Sequence, residues 1–397
     1  MKLAVYAIAK NESENVERWF ESVMDADEIV VLDTGSTDDT FEKLEALGVN
    51  VSRGHLDPFR FDVARNAALN KVGNVDYVMF LDFDEVLEPG AIHEIKKSLK
   101  GHSMYSMDLV FTQNADGSPA IWYPREAIHR RMEFFWQYPV HEVLTSYSKT
   151  YSHEHLDIKV YHVPDVEKDR TSYVNLLEMG VAENPDDPRC MQYLGREYFY
   201  EGRWLDAIMW LRKHIEVETH GPFRSESATY ISQCYIAMED KLESALDEAE
   251  TWALRAIAEF NSAREPYCEL ASLYFSCGQY ECAIGMLRSA LRILKQPEVN
   301  MIHNSMYYGS WPHHLLAASY FNMGDLEKAK EEILVAIQMT PEGNINGSML
   351  SDITKILGID NVNQFIEDRN DTPSGSGDIP KEVSGGSESL SGKVSQE

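Results

Sequence analysis

The stretch DYVMFLDFDEVLE, Asp76 to Glu88, decides the fold of the N-terminal part of the chain. Tyr77 to Leu81 is a short apolar run, which is typical of a strand buried in a sheet. Since side chains alternate along a strand, Asp82 and Asp84 should point the same way. Two such carboxylates repel each other unless a cation lies between them, and oxygen ligands suit Mg²⁺ or Mn²⁺. The stretch alone equally allows both aspartates to be turn residues that cap the next helix.

Strands and helices alternate on both sides of this stretch. The other predicted strands before it are Leu3 to Ala9, Glu28 to Leu32 and Val49 to Ser52. Such alternation predicts a mainly parallel α/β sheet, and ligands of such sheets bind at the carboxyl ends of the strands. The residues that fall at these ends are Asn11, Asp33, Asp82 and Asp84. Their shared edge favours a binding function over a capping function.

Composition limits the classes of function. A chain of 397 residues is long enough for two or three domains with sizeable cores. Its net charge of −29 argues against wrapping nucleic acid and against an anionic membrane surface as the main partner. We find neither a signal peptide nor an apolar run long enough to span a membrane. The 5 cysteines form no metal-binding pattern, which indicates reduced core residues of a cytoplasmic protein.

Four short motifs occur in order along the predicted sheet: AIAKNE at 7–12, VLDTGSTD at 31–38, ARN at 64–66 and LDFDE at 81–85. Together they resemble the motifs of family 2 glycosyltransferases, which have the Rossmann-like GT-A fold. The resemblance covers roughly residues 1 to 165. It implies an inverting transfer of a sugar from a nucleotide-diphosphate donor, such as a UDP-sugar, with a divalent metal, Mn²⁺ or Mg²⁺.

The resemblance also implies roles for single residues. Asp33 would contact the base or ribose of the nucleotide, and Arg65 would hold the nucleotide near its diphosphate. Asp82 would contact the ribose or the sugar, and Asp84 would bind the metal. Asn11, in the first motif, is grouped with the donor-binding residues.

A late histidine often completes the metal site of the GT-A fold. His162 ends the predicted strand Ile158 to His162 and occupies roughly that place. The resemblance therefore adds His162 to Asp84 as a metal ligand. His153 and His155 also form a pair, but we expect them to be surface residues of a polar loop.

The segment WQYPVHEVL, Trp136 to Leu144, resembles the VHE stretch of family members that modify lipopolysaccharide core or peptides. An acceptor hydroxyl or thiol needs a base while its oxygen or sulfur attacks the sugar. Glu142 is the candidate base, and His141 is the alternative. Both residues could instead pair with a basic cluster, which itself either faces a diphosphate or is a solvated strand edge. The cluster comprises Arg125, His129, Arg130 and Arg131.

From about Asp169 the pattern is helical and contains an internal repeat. The repeat is centred on Gly202, Gly278 and Gly324, with leucine, small residues and tyrosine at fixed offsets before each glycine. Corresponding positions are Leu194, Gly195, Tyr198, Ala207 and Leu211; Leu270, Ala271, Tyr274, Ala283 and Leu287; and Leu316, Ala317, Tyr320, Ala329 and Ile333. This resembles the tetratricopeptide repeat (TPR), with a degenerate copy after the first unit.

These observations predict three regions. Residues 1–165 form the GT-A domain, 166–368 form an all-α TPR-like domain, and 369–397 form a disordered tail rich in glycine, serine and charge. The repeats could bind a protein partner, pair with another subunit or brace the first domain. The sequence does not separate these roles.

The leading hypothesis is a cytoplasmic, metal-dependent glycosyltransferase whose acceptor is a glycan, a lipid or a protein. The alternative is a catalytically inactive scaffold that acts through protein interactions of its repeats. A sugar-phosphate nucleotidyltransferase shares the sheet architecture, but its glycine-rich loop after the first strand is missing, since residues 10–13 read KNES.

Overall fold

The structure is a computed structural model that describes residues 1–114, 117–163, 173–297, 303–340 and 347–358. Met1–Ile345 form one compact unit, and Asn346–Glu397 form a second. The second unit contributes one described helix, Gly347–Leu357. The predicted disordered tail lies outside the described residues, and the domain boundaries remain predictions.

A nine-stranded sheet forms the N-terminal part of the first unit. Its strands up to residue 162 are β1 (Leu3–Ala9), β2 (Glu28–Asp33), β3 (Asn50–Arg53), β4 (Tyr77–Phe80), β5 (Glu85–Leu87), β6 (Met104–Gln113), β7 (Pro119–Arg130) and β10 (His153–His162). A separate two-stranded sheet consists of β8 (Phe134–Gln137) and β9 (Val143–Ser146).

The order of the strands explains where a ligand can bind. The main sheet runs β3-β2-β1-β4-β7-β6-β10-β5. The first four strands pair in parallel, so their carboxyl ends meet at one edge. β7 joins β4 and β6 in antiparallel pairs, whereas β10 is parallel to β6 and antiparallel to β5. The predicted mainly parallel α/β sheet is therefore confirmed.

Helices cover both faces of this sheet. They are α1 (Val16–Val23), α2 (Thr40–Ala46), α3 (Phe61–Lys71) and α4 (Ala91–Ser98). Alternate residues of β1 belong to two cores: Leu3 and Val5 pack with α1 and α4, while Ala4 and Tyr6 pack with α3 and β8. This alternation fixes the register of the strand, because a slip of one residue would exchange the two sets.

In the described segments after the sheet, four helical hairpins follow an initial helix. The helices are α5 (Tyr173–Glu183), α6 (Pro188–Tyr200), α7 (Trp204–Val217), α8 (Gly221–Ile236), α9 (Ala245–Glu259), α10 (Glu265–Ser276), α11 (Tyr280–Leu291), α12 (Ser305–Tyr308), α13 (Trp311–Asn322), α14 (Leu326–Met339) and α15, the helix of the second unit. The repeat glycines Gly202, Gly278 and Gly324 have φ values of 73°, 72° and 82° in the turns between paired helices. A left-handed turn residue favours glycine, which explains why the repeat carries it.

One hydrogen bond recurs between hairpins. The Tyr198 hydroxyl donates to Glu178 Oε1 at 2.6 Å, and the Tyr274 hydroxyl donates to Glu250 Oε1 at 2.7 Å. Glu250 lies on α9, the second helix of the hairpin before Tyr274, and Glu178 lies on α5. Helix α5 therefore contacts α6 in the same way as α9, the second helix of its hairpin, contacts α10.

The long connection before the last hairpin contacts the sheet. Strand β11 (His303–Asn304) pairs antiparallel with β7 at Ile121 and Trp122. Just after it, the Tyr308 hydroxyl accepts a hydrogen bond from the Arg264 amide at 3.1 Å. The departure from the repeat spacing that the sequence shows here thus corresponds to a segment joining the helices to the sheet.

Three local predictions need correction. The strand before Asp82 ends at Phe80, and residues 82–85 form a turn, so alternation along a strand does not orient the two aspartates. His153 and His155 are exposed, as expected, but belong to β10 rather than to a loop. Cys277 and Cys282 are exposed rather than in the core.

Packing between α6 and α7 gives a first testable prediction. A Cβ on Gly195 would lie 2.7 Å from Leu211 Cγ and 2.9 Å from its Cδ2. Alanine favours a helix over glycine by about 1 kcal/mol, but steric overlap dominates at this contact. We expect Gly195→Ala to lower the free energy of unfolding by about 1–3 kcal/mol, measured by urea denaturation.

Gly285 on α11 is the matched control, because a Cβ there would meet no atom within 4 Å. Gly285→Ala should raise the free energy of unfolding by up to about 1 kcal/mol. Equal stability of the two variants would show that α6 and α7 separate without cost, contrary to the predicted close approach.

Candidate functional site

The loops after β1 and β2 are joined by hydrogen bonds at the carboxyl edge of the sheet. Asn11 Oδ1 accepts from the Thr37 amide at 2.7 Å, and the Asn11 amide donates to Ser36 Oγ at 2.9 Å. Asn11 has a φ of 57°, which an asparagine tolerates better than most residues. The predicted donor-binding residue Asn11 therefore also shapes the second loop.

Asp33 ends β2 and is 1% exposed. Its Oδ1 accepts hydrogen bonds from the amides of Gly35 and Ser36, both at 2.8 Å. Within the described parts of the chain, its buried Oδ2 has no hydrogen-bond partner. A buried acceptor without a donor is unfavourable, so this oxygen suits an N–H or O–H group of a ligand.

Buried contacts of Phe83 and Glu85 fix the turn from Asp82 to Glu85. Phe83 is buried and stacks on Trp19 with ring centroids 4.4 Å apart. Glu85 Oε2 accepts from the Asp82 amide at 3.1 Å, and Arg125 forms a two-fold ion pair with the Glu85 carboxylate. These contacts leave Asp82 and Asp84 on the partly exposed side of the turn.

Arg65 lies between two predicted site carboxylates. Its Nη1 and Nη2 lie 3.1 Å and 3.2 Å from the Asp82 oxygens, and its Nε donates to Glu142 Oε1. The guanidinium also stacks on the ring of Phe80, at 3.6 Å from its centroid. Arg65 is only 6% exposed, so it needs these charged partners to remain buried. Its predicted contact with a diphosphate remains a prediction.

Negative charge exceeds positive charge here. The carboxylates of Asp84, Glu85 and Glu142 all raise the pKa of Asp82, after the larger effect of burial, whereas Arg65 lowers it. The Asp82 side chain is 32% exposed, and contact with solvent moderates this rise. Four carboxylates thus surround two guanidinium groups, Arg65 and Arg125. A diphosphate would be repelled unless a cation accompanied it.

Asp84 and His162 lie together at the end of β10. Asp84 Oδ2 is 3.8 Å from His162 Nε2, and the imidazole stacks on Phe111 at 4.6 Å. Among the described residues, no group of three or more His, Cys, Asp or Glu side chains has the arrangement of a metal site. Two protein ligands are nevertheless enough for Mg²⁺ or Mn²⁺ when substrate phosphates complete the coordination.

The 138–142 loop carries both predicted bases. The Glu142 carboxylate pairs with Arg65 and is 9% exposed. The His141 ring stacks on Tyr193 of α6, with centroids 4.1 Å apart and an angle of 18°. Glu142 therefore faces the Asp82 carboxylate across a shared arginine, whereas His141 faces the helical domain.

Backbone strain is concentrated at this edge. Non-glycine residues with positive φ in the described segments are Asn11, Tyr138 at 82° and His141 at 50°. Such conformations cost about 1–3 kcal/mol each and persist only where the surroundings enforce them. They often occur at functional sites, which agrees with the position of the predicted site residues.

The predicted basic cluster does not form. Arg125 binds Glu85, whereas His129 is fully buried and its Nε2 lies 3.2 Å from the Tyr6 hydroxyl. Burial lowers the pKa of His129 to about 4. Arg130 and Arg131 donate to the carbonyls of Gly101 and Val72. Four residues that are close in sequence therefore have separate structural roles, and Glu142 pairs with Arg65 rather than with this group.

Residues 5–158 match the family model described as glycosyl transferase family 2. This part of the chain is a family 2 glycosyltransferase domain. An uncharacterized glycosyltransferase of Rickettsia conorii is 30% identical over 129 residues, which are 31% of this chain and 45% of that protein. The chain thus spans less than half the length of this glycosyltransferase relative.

Other relatives extend beyond the glycosyltransferase domain or match the helical part. A TPR repeat-containing protein of Synechococcus elongatus is 23% identical over 306 residues, covering 73% of this chain and 75% of that protein. A solved TPR protein of Thermus thermophilus is 18% identical, with a TM-score of 0.35, over 47% of this chain and 89% of that one. The helical hairpins and their turn glycines confirm the predicted all-α, TPR-like fold of the chain after the glycosyltransferase domain.

The structure adds three residues to the predicted site of the glycosyltransferase domain. Glu85 and Arg125 support the turn that carries Asp82, and Asn66 exchanges two hydrogen bonds with the backbone of Trp136 at 2.8 Å and 2.9 Å. Glu85 and Asn66 belong to the four sequence motifs, so the sequence did contain a signal for them. No helix in the described segments is long and apolar enough to cross a membrane.

Proposed function

We propose that this protein is an inverting, metal-dependent glycosyltransferase that uses a nucleotide-diphosphate sugar, with a UDP-sugar as the first donor to test. The observation that carries the proposal is the meeting of Asp33, Asp82 and Asp84 at one sheet edge of the family 2 domain. These residues supply acceptor groups for a nucleotide and ligands for a cation at the ends of β2 and β4, which lie on either side of β1.

The donor would bind across the ends of β2 and β4. The buried Asp33 Oδ2 would accept a hydrogen bond from the base or the ribose of the nucleotide. Asp82, on the turn after β4, would accept from a hydroxyl of the ribose or sugar. Asn11 holds the loop after β2 to the loop after β1 through its hydrogen bond with the Thr37 amide.

Asp84 and His162 would hold Mn²⁺ or Mg²⁺. The excess of carboxylates at this edge and the short distance of 3.8 Å between Asp84 Oδ2 and His162 Nε2 fit such a site. The ion would supply positive charge to the leaving diphosphate. Carboxylate oxygen favours both ions, whereas imidazole nitrogen favours Mn²⁺ over Mg²⁺.

Glu142 would act as general base, with His141 as the alternative. In the reaction, the acceptor proton moves to Glu142 while the acceptor oxygen or sulfur forms a bond to the anomeric carbon. The bond from that carbon to the phosphate oxygen breaks, and its electron pair leaves with the nucleoside diphosphate. Arg65 pairs with the Glu142 carboxylate and so fixes its position before the acceptor arrives.

A panel of nucleotide sugars tests the proposal. The full chain, incubated with Mn²⁺ and each donor in turn, should release nucleoside diphosphate from at least one donor, detected by chromatography. An Asp82→Asn variant is the control for a contaminating activity. Absence of both release and nucleotide binding across the panel would contradict the proposal and favour the inactive scaffold.

A further inference from the structure

The 138–142 loop contacts both the glycosyltransferase domain and the helices that follow it. The Pro139 carbonyl accepts from the Phe61 amide at 2.9 Å, and Glu142 pairs with Arg65, so these two residues attach to α3. Tyr138, Val140 and His141 attach instead to helices of the TPR-like domain. The loop with the candidate base therefore belongs structurally to both domains.

Val140 is the apolar anchor of the loop. It is 6% exposed and belongs to the hydrophobic core of the helical domain, with Leu177 of α5 and Cys190 of α6. Since a buried aliphatic side chain is costly to expose, Val140 holds the centre of the loop against these helices.

The two strained residues flank this anchor, and the start of α6 holds both of them. The Tyr138 hydroxyl donates to the Asp187 carboxylate, and the hydrogen-bonded Tyr138 has a pKa above its ordinary value, mainly through burial. Asp187 also caps α6, since its Oδ1 accepts from the Arg189 amide at 2.8 Å. The side chain of Arg189 donates to the His141 carbonyl at 3.1 Å. One helix end thus fixes both left-handed residues.

Tyr193, one helical turn after Arg189 on α6, also contacts the loop. Its ring stacks on His141 at 4.1 Å, and the Arg189 guanidinium lies 4.8 Å from the centroid of that ring. These contacts fix the side chain of His141 as well as its backbone, and Glu142 is the next residue. A shift of His141 would move the Glu142 carboxylate away from Arg65.

We propose that Tyr193, together with Asp187 and Arg189, is a positioning residue for the candidate base Glu142, so that the TPR-like domain forms part of the catalytic apparatus. The positioning itself follows from the contacts of the 138–142 loop, while its effect on turnover rests on the proposed function. The sequence left three roles open for the repeats: binding a protein partner, pairing with another subunit and bracing the first domain. For the first hairpin, the proposal favours bracing.

Hydrogen exchange of the full chain tests the positioning without reference to activity. In Tyr193→Ala, amides of the 138–142 loop should exchange about tenfold faster or more, because the strained loop opens more often. Amides of the Asp33–Thr37 loop should keep their rates. Tyr193→Phe retains the stacked ring and loses only the 3.4 Å hydrogen bond that Arg189 donates to the Tyr193 hydroxyl, so its loop should exchange at close to the wild-type rate.

Tyr200 provides the matched control on the same helix. It is 59% exposed, and its hydroxyl lies 2.9 Å from the Tyr230 hydroxyl, away from the 138–142 loop. Tyr200→Ala should leave exchange of the loop unchanged. Unchanged loop exchange in Tyr193→Ala, or faster exchange in both loops, would overturn the proposal.

Turnover provides the second readout. With a donor from the panel, Tyr193→Ala should lose about 10- to 100-fold in kcat, because a base displaced by an ångström is a poor base. Its affinity for UDP should stay unchanged, since no donor-binding residue moves. If Tyr193→Ala shows faster exchange of the loop but full turnover, the proposed effect of the positioning on catalysis is wrong. If the wild-type protein turns over no donor, the proposed function fails, and the exchange result still decides the positioning.

Discussion

Glu142→Gln should reduce turnover by about 10²–10⁴-fold, the range that a positioned general base contributes. Glutamine keeps the length of the side chain and its hydrogen-bonding reach toward Arg65, but it cannot take the acceptor proton. Affinity for UDP, measured by calorimetry, should change little, because Glu142 lies on the opposite side of Arg65 from Asp82.

His141→Ala is the comparison for this prediction. His141 stacks on Tyr193, so its removal should loosen the loop and give a smaller loss than Glu142→Gln. Full turnover in Glu142→Gln together with no turnover in His141→Ala would assign the base to the histidine. Loss of nucleotide affinity in both variants would show that the pair is structural or linked to the metal.

Asp84→Ala should abolish metal-dependent binding of UDP. In the wild-type protein, calorimetric titration with UDP should require Mn²⁺ or Mg²⁺, because the carboxylates around Asp82 outnumber the guanidinium groups there. Without Asp84 the cation keeps at most one of its two protein ligands, so the binding signal should largely disappear. The side chain is 20% exposed, and its removal should leave the fold intact.

Asp108→Ala is the control for Asp84→Ala, because it also removes a carboxylate that lies near a histidine. Asp108 Oδ1 lies 3.5 Å from His155 Nε2, on the part of β6 and β10 that precedes the site. Asp108→Ala should bind UDP and Mn²⁺ like the wild-type protein. Equal affinity for UDP with and without metal would contradict the predicted role of Asp84.

Local sequence signals predicted the elements of the fold well. β1 and β4 are apolar runs of typical length, and the motif residues Asp33 and Asp82 follow strands whose parallel pairing puts them at one edge. The repeat glycines, such as Gly202, lie in left-handed turns that few other residues adopt easily. In these cases the structural feature depends on residues within a few positions of the motif that predicts it.

Contacts between distant residues were beyond the sequence. Nothing in the sequence near Arg65 shows that its guanidinium is shared between Asp82 and Glu142. Glu142 is 77 residues away from Arg65 in the sequence. The stack of His141 on Tyr193 likewise joins residues of different domains. The left-handed conformations of Tyr138 and His141 follow from such contacts rather than from residue preference. This explains why the sequence suggested a candidate base but not the contacts that hold its loop.

The most direct test of a metal-bound nucleotide at this sheet edge is a crystal structure of the full chain grown with UDP and Mn²⁺, with the metal located by anomalous scattering. We expect one strong peak within bonding distance of the Asp84 carboxylate, bridged to the diphosphate, and the uridine against Asp33. A bound UDP remote from Asp33, or a manganese peak that does not contact Asp84, would contradict the proposed site.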